Sequence, residues 1–137
     1  MNGILSVDAS QSLDSVELEA GLDEILLKFQ QTGRQCLPVV DSQQRCFGVI
    51  SSHDITKIDH TVPSMRSLTA WEFCSHSVVE VSEGATALEV ASKMLHHRVR
   101  HVIVTKDGKI TGLLSSIDVI RHCVAKYEEE AASSSSN

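Results

Sequence analysis

The sequence predicts a mixed α/β (α+β) fold in which one βαββα unit is used twice, and three observations carry that prediction. Arg100 to Arg121 holds two β-branched apolar runs, 101–105 and 110–114, on either side of Lys106-Asp107-Gly108-Lys109. An Asp-Gly pair between apolar runs is the strongest short-range hairpin signal. The pattern then switches to helical spacing, with Ile120, Cys123, Val124 and Tyr127 at i, i+3, i+4 and i+7. Lastly, the strand-to-helix corner recurs: Gly48-Val49-Ile50-Ser51-Ser52-His53-Asp54 matches Gly112-Leu113-Leu114-Ser115-Ser116-Ile117-Asp118 position for position, 64 residues apart. Leu37-Pro38-Val39 likewise precedes Val102-Ile103-Val104 by 65 residues, the second hairpin loop being one residue shorter. Self-similarity at a fixed offset is the mark of a repeated unit.

The elements follow in order. Met1 to Leu13 is weakly patterned, although Ile4, Leu5 and Val7 could pack. Val16 and Leu18 alternate with Glu17 and Glu19, which reads as a short half-exposed strand. A helix is expected over 21–32, with Leu22, Ile25, Leu26 and Phe29 on one face and Gly33 as its stop. Its start is weak, because Gly21 stands where Thr86 caps the matching helix. Cys36–Asp41 and Cys46–Ser51 form the first hairpin across Ser42-Gln43-Gln44-Arg45. A short helix from Asp54 ends before Pro63, and the polar stretch 60–69 reads as a connector. Ala70 to Cys74 suggests a helical turn before strand 78–81; its Trp71 and Phe73 read as core rather than as stacking surfaces for a ligand. The helix over 86–97 sets Ala87, Val90, Ala91 and Met94 on one face with Leu88 and Leu95 beside it, a wider apolar surface than one sheet covers. The repeats are therefore expected at 1–66 and 67–130, with a disordered Ala/Ser-rich tail over 131–137.

Composition narrows the function. Twelve Lys plus Arg against 18 Asp plus Glu give a net charge of −6, which argues against nucleic acid or an anionic membrane as partner. No apolar run approaches the roughly 20 residues that span a bilayer. The four cysteines, at 36, 46, 74 and 123, show no ligand or redox spacing, and no secretory signal opens the chain, so a reduced cytoplasm is the expected compartment. His96-His97-Arg98-Val99-Arg100-His101 is the sharpest basic cluster, yet no Cys or carboxylate stands at a supporting interval, and no metal is expected. Nothing in the sequence pairs a nucleophile with a base, so no catalysis is expected.

Over roughly 15–125 the chain resembles a tandem pair of cystathionine-β-synthase (CBS) domains, a Bateman module. The resemblance is carried by Thr86-Ala87-Leu88-Glu89-Val90-Ala91-Ser92-Lys93-Met94, Val99 to Val104, Gly112 to Asp118, Leu37 to Asp41 and Gly48 to Asp54. It implies two repeats packed about a pseudo-two-fold axis and a non-catalytic regulatory module. Its ligand would be an adenosine nucleotide of the AMP, ADP or ATP class, or more widely S-adenosylmethionine or NAD, bound between the repeats with no cofactor required. It also implies a homodimer whose output acts on a separate regulated protein.

The corners suit that chemistry. An ionised aspartate only accepts hydrogen bonds, and the vicinal hydroxyls of a ribose donate to it as a matched pair, each bond to a charged group adding about 1.5–3 kcal/mol. Asp54 and Asp118 are the ribose candidates; Ser51 and Ser115 would bond a phosphate or ribose oxygen, and Leu37, Pro38, Val102 and Ile103 would flank the base. Arg100 and His101 could attract phosphate, or simply complement the end of the preceding helix. Lys57 and Arg121 match family positions that reach phosphate in some members, and His53 falls where many relatives carry a basic side chain. A structural alternative stands beside this reading, since Ser-x-x-Asp before a helix is also a capping box, contributing about 1 kcal/mol with no ligand present. On that alternative the protein is an assembly module that dimerises through its apolar helices.

Overall fold

The computed structural model describes residues 13–135, so Ile4, Leu5 and Val7 lie outside the described residues. Its strands form two three-stranded sheets, one in each repeat. In the first, β1 (Val16–Glu17) leads through α1 (Leu22–Thr32) to β2 (Cys36–Val40). These two strands run parallel, with Val16 opposite Val39. β3 (Cys46–Ser51) returns antiparallel to β2, placing Leu37 opposite Ile50 and Pro38 opposite Val49. Three short helices follow: α2 (Ser52–Thr56), α3 (Pro63–Arg66) and α4 (Ala70–Phe73). The second repeat contains β4 (Glu80–Ser82), α5 (Ala87–His97), β5 (His101–Lys106), β6 (Lys109–Ser115) and α6 (Ser116–Ser135), with β4 parallel to β5 and Val81 opposite Val104.

All five residues of β2 are buried, as are Val102, Ile103 and Val104 of β5. A strand covered on both faces reads as a continuous apolar run instead of an alternating one. One core gathers Val16, Ile25, Leu37, Val39, Ile50 and Ala70; the other gathers Val81, Val90, Met94, Val102, Val104 and Val119. Each fully buried Ile or Val adds about 1.5–3 kcal/mol over its exposed state. Asp107 and Gly108 both take positive φ, 54° and 78°, as the expected Asp-Gly hairpin requires.

The described residues cluster into two compact units, one made of 13–78 with 107–110 and the other of 79–106 with 111–135. The residues after 66 are tied to the first sheet. Ala70 is fully buried in its core, the Ala70 N–H donates to the Ala20 carbonyl at 2.8 Å, and the Trp71 N–H donates to Leu18 at 3.0 Å. Val49 and Ser75 exchange backbone hydrogen bonds of 3.0 and 2.9 Å. This approach depends on Gly48, where a Cβ would lie 2.5 Å from Cys74 Sγ and 2.6 Å from the Ser75 carbonyl oxygen.

Several expectations are corrected. The connector contains a helical turn, α3, begun by Pro63, whose fixed φ suits a first helical position. β4 starts at Glu80, two residues late, and α6 continues to Ser135, well into the expected disordered tail. Nothing between Tyr127 and Ser135 breaks a helix: no Gly or Pro intervenes, and the Glu and Ala there are strong helix formers. Phe73 packs on the first core as expected, whereas Trp71 is 42% exposed. The Trp71 indole stacks on His76 at 4.5 Å and meets Phe47 edge-on at 5.4 Å, an aromatic surface cluster in place of a core residue.

Candidate functional site

Each corner is built by a strand that ends on a serine and a helix that begins immediately after it. In the first, Ser51 Oγ accepts from the Asp54 N–H at 3.2 Å, and Asp54 Oδ2 accepts from the Ser51 N–H at 2.8 Å and from Ser51 Oγ at 2.9 Å. In the second, Ser115 and Asp118 make the same three bonds at 3.2, 2.8 and 2.9 Å. The Ser52 N–H donates to the Gln35 carbonyl at 2.8 Å and the Ser116 N–H to the Arg100 carbonyl at 2.8 Å, tying each helix start to the residue before the partner strand. The capping reading of Ser-x-x-Asp is thus realised at both corners. Only Oδ2 of each aspartate is used: among the described residues, Oδ1 of Asp54 and of Asp118 accepts no hydrogen bond. Both carboxylates are half-buried. Each corner therefore holds an acceptor oriented by its neighbour's cap and open on its other oxygen.

The remaining candidates divide by burial. Leu37 and Val102 belong to the two cores, at 0% and 1% exposure, so they could offer a base only their backbone groups. Pro38 and Ile103, one residue on, sit on the opposite faces of their sheets and are also buried. His53, Lys57, Arg100 and Arg121 are exposed, and none forms an ion pair among the described residues. His101 is half-buried. Burial holds its imidazole below the usual histidine range, Asp118 opposes that shift, and Arg100 adds to it. At neutral pH His101 therefore donates or accepts hydrogen bonds without carrying charge, and of the pair only Arg100 supplies a cation.

The cysteines offer no redox chemistry at these corners. Cys36, Cys74 and Cys123 are free thiols, and burial, followed by the Asp54 and Cys46 charges, pushes the Cys36 thiol up to about 12. Cys74 is raised as well, chiefly by burial. A thiol held protonated is a poor nucleophile. The sequence reading missed the aromatic cluster, which borders a cavity of about 210 Å³ lined by Leu18, Glu19, Phe47, Thr69 and Trp71. Its members come from three separate segments, so no local spacing announces it. A second cavity, about 330 Å³, lies between the start of α1 and α3, with Leu22, Asp23, His60 and Arg66 in its wall. Neither includes a corner residue.

A βαββα unit used twice, with matched Ser–Asp corners, is a tandem-repeat architecture. The model of the CBS domain family matches residues 5–60 and 70–125, and the chain belongs to that family. The arabinose 5-phosphate isomerase KpsF of Escherichia coli is 26% identical over 105 residues, covering 76% of this chain and 32% of KpsF. The chain thus spans about a third of the length of that relative. Among solved structures, CBSX2 in complex with AMP superposes with a TM-score of 0.76 at 20% identity, covering 90% of this chain and 95% of that one. The CBS domain of a bacterial CNNM/CorC family Mg2+ transporter in complex with ATP does so at 0.76 and 20%, covering 88% and 84%. At these identities the likeness is one of fold.

Proposed function

We propose that this CBS pair is a non-catalytic sensor of an adenosine nucleotide, held between the repeats, and that occupancy alters the surface it presents to a regulated protein and to a second copy in a homodimer. The observation that carries the reading is the duplicated corner: two aspartates in one geometry, each with an open Oδ1 of the kind that receives paired ribose hydroxyls. Ser51 and Ser115 flank a ribose or phosphate oxygen, the backbone of β2 and β5 lies alongside the base, and Arg100, with Lys57 and Arg121, supplies charge for phosphate. His53 and His101 contribute hydrogen bonds. Solved CBS domains with AMP and with ATP make those two nucleotides the first to test.

Calorimetric titration of the full chain with AMP, ADP, ATP, NAD and S-adenosylmethionine identifies the ligand. Asp54→Ala and Asp118→Ala are each expected to weaken binding more than tenfold at their own site, as loss of a hydrogen-bonded charged acceptor implies. The capping boxes observed at both corners favour one rival, an assembly module with no ligand. That rival is the correct one if no nucleotide binds the wild type, or if both variants melt at lower temperature yet bind normally.

A further inference from the structure

The cavity beside the aromatic cluster is built from residues that the corners leave unused. Its wall is Leu18, Glu19, Phe47, Thr69 and Trp71, all within the unit made of 13–78 and 107–110. Backbone hydrogen bonds hold together the two segments that frame it. The Trp71 N–H reaches the Leu18 carbonyl at 3.0 Å and the Ala70 N–H reaches the Ala20 carbonyl at 2.8 Å, one on either side of Glu19. The Phe47 and Trp71 rings stand at 80° to one another with centroids 5.4 Å apart, so two aromatic walls adjoin nearly at a right angle. The indole is fixed in turn by His76, which stacks on it at 4.5 Å and sets Nε2 2.9 Å from the Trp71 carbonyl. Phe47 and Trp71 are nonetheless both exposed, so the walls are accessible from solvent.

Charge and hydrogen-bonding capacity specify the occupant. Glu19 is the one ionisable side chain in the wall, and it forms no ion pair among the described residues. Arg45, two residues before Phe47, is held by Asp41 at 2.9 Å. Aromatic walls beside an unpaired carboxylate attract a cation, because the face of an aromatic ring is the negative end of its quadrupole. The cation's own donors then decide its class. A primary ammonium brings three N–H donors and a guanidinium five. Thr69 Oγ1 already donates to Glu72 at 2.9 Å, which leaves its lone pairs and the Glu19 carboxylate as the side-chain acceptors in the wall. Two such groups do not replace the hydration of either cation. A quaternary ammonium has no N–H to satisfy and surrounds its charge with methyl groups, which suit Leu18, Phe47 and Trp71. The volume of about 210 Å³ lies below the roughly 300 Å³ at which pockets begin to take drug-sized ligands, so the compound is small.

We propose that this cavity binds a small quaternary ammonium compound, at a site separate from the paired corners and independent of the nucleotide reading. Trp71 is the only tryptophan of the chain, so its fluorescence reports occupancy. Titration of the full chain with choline at constant ionic strength is expected to shift that emission saturably. Neohexanol, the uncharged alcohol of the same shape, and ethanolamine, the primary ammonium, are each expected to bind about tenfold more weakly. Broadening of the choline methyl signal in NMR follows the variants. Trp71→Leu should lose about tenfold in affinity and Trp71→Phe less, since a ring is kept. Glu19→Gln should lose about threefold, as for an exposed charge pair. A circular dichroism melt verifies that each variant stays folded, and Glu19→Gln alters an exposed side chain only. The proposal is overturned if choline gives no saturable response, or if neohexanol binds as well as choline, which would mark an apolar surface patch only. It is equally overturned if folded Trp71→Leu and Glu19→Gln both bind choline like the wild type. Nucleotide titration of the same samples is a separate readout, so failure here leaves the corners standing.

Discussion

The two repeats share one corner and use it on helices of different weight. α2 is five residues long and buries none of them, whereas α6 is 20 residues long and carries Val119 into a core. The three hydrogen bonds at their starts are the same to a tenth of an ångström. Local capping chemistry is therefore set by the Ser-x-x-Asp spacing and is indifferent to what the helix does next. The other helix ends diverge. α1 closes on Gly33 at φ 65°, while α5 closes on Arg98 at φ 57°, a left-handed conformation that costs a residue with a Cβ about 1 kcal/mol. α1 starts on Gly21 with no side-chain cap, and α5 starts on Thr86, whose hydroxyl accepts from the Glu89 N–H at 3.2 Å. Duplication has kept the corner in both repeats, while the helix ends away from it differ.

The largest effect expected from probing this asymmetry lies in the first repeat. Gly48→Ala would drive a methyl against a backbone oxygen and the Cys74 sulfur, and a loss of about 2–3 kcal/mol is expected in urea denaturation, as for overpacked sites. Removing the caps comes next. Ser115→Ala should lower stability by about 1 kcal/mol, and Ser51→Ala by less, because the short α2 is less coupled to a core. Equal losses would mean that α2 carries more of the fold than its length suggests. Exchanging the helix stops gives opposite signs: Gly33→Ala destabilises by about 1 kcal/mol, and Arg98→Gly stabilises by up to the same amount.

The smallest effect is a pH dependence confined to the second repeat. Because the native pKa of His101 lies below its unfolded value, the unfolded chain takes up the proton first as pH falls. Stability should therefore drop below pH about 6.5. His101→Gln should flatten that decline in urea midpoints measured between neutral and mildly acid pH, and an unchanged slope would assign the decline to other groups.

Much of this was legible from residue order. The Asp-Gly turn, the glycine stop at 33, the threonine cap at 86 and the twin corners are local signals with local causes, and the structure holds each where the sequence placed it. Trp71 was read wrongly because its exposure depends on Leu18 and Ala20, some 50 residues away, which hold the α4 backbone so that the indole faces outward. The burial of Leu37 and Val102 in the two cores follows from the way each sheet meets its helices, and spacing does not record that. The extent of α6 was missed because a serine-rich composition suggests a solvated tail, while an uninterrupted run of helix formers can carry a long helix through it.

The clasp between Val49 and Ser75 also governs how the first repeat could be excised. A fragment ending at 66 would lack Ala70 and Phe73, open the floor of its own core and remove the Cys74 and Ser75 contacts that Gly48 makes room for. Extending the cut to 78 supplies the missing wall, and of the compact unit to which these residues belong only 107–110 then lie outside the fragment.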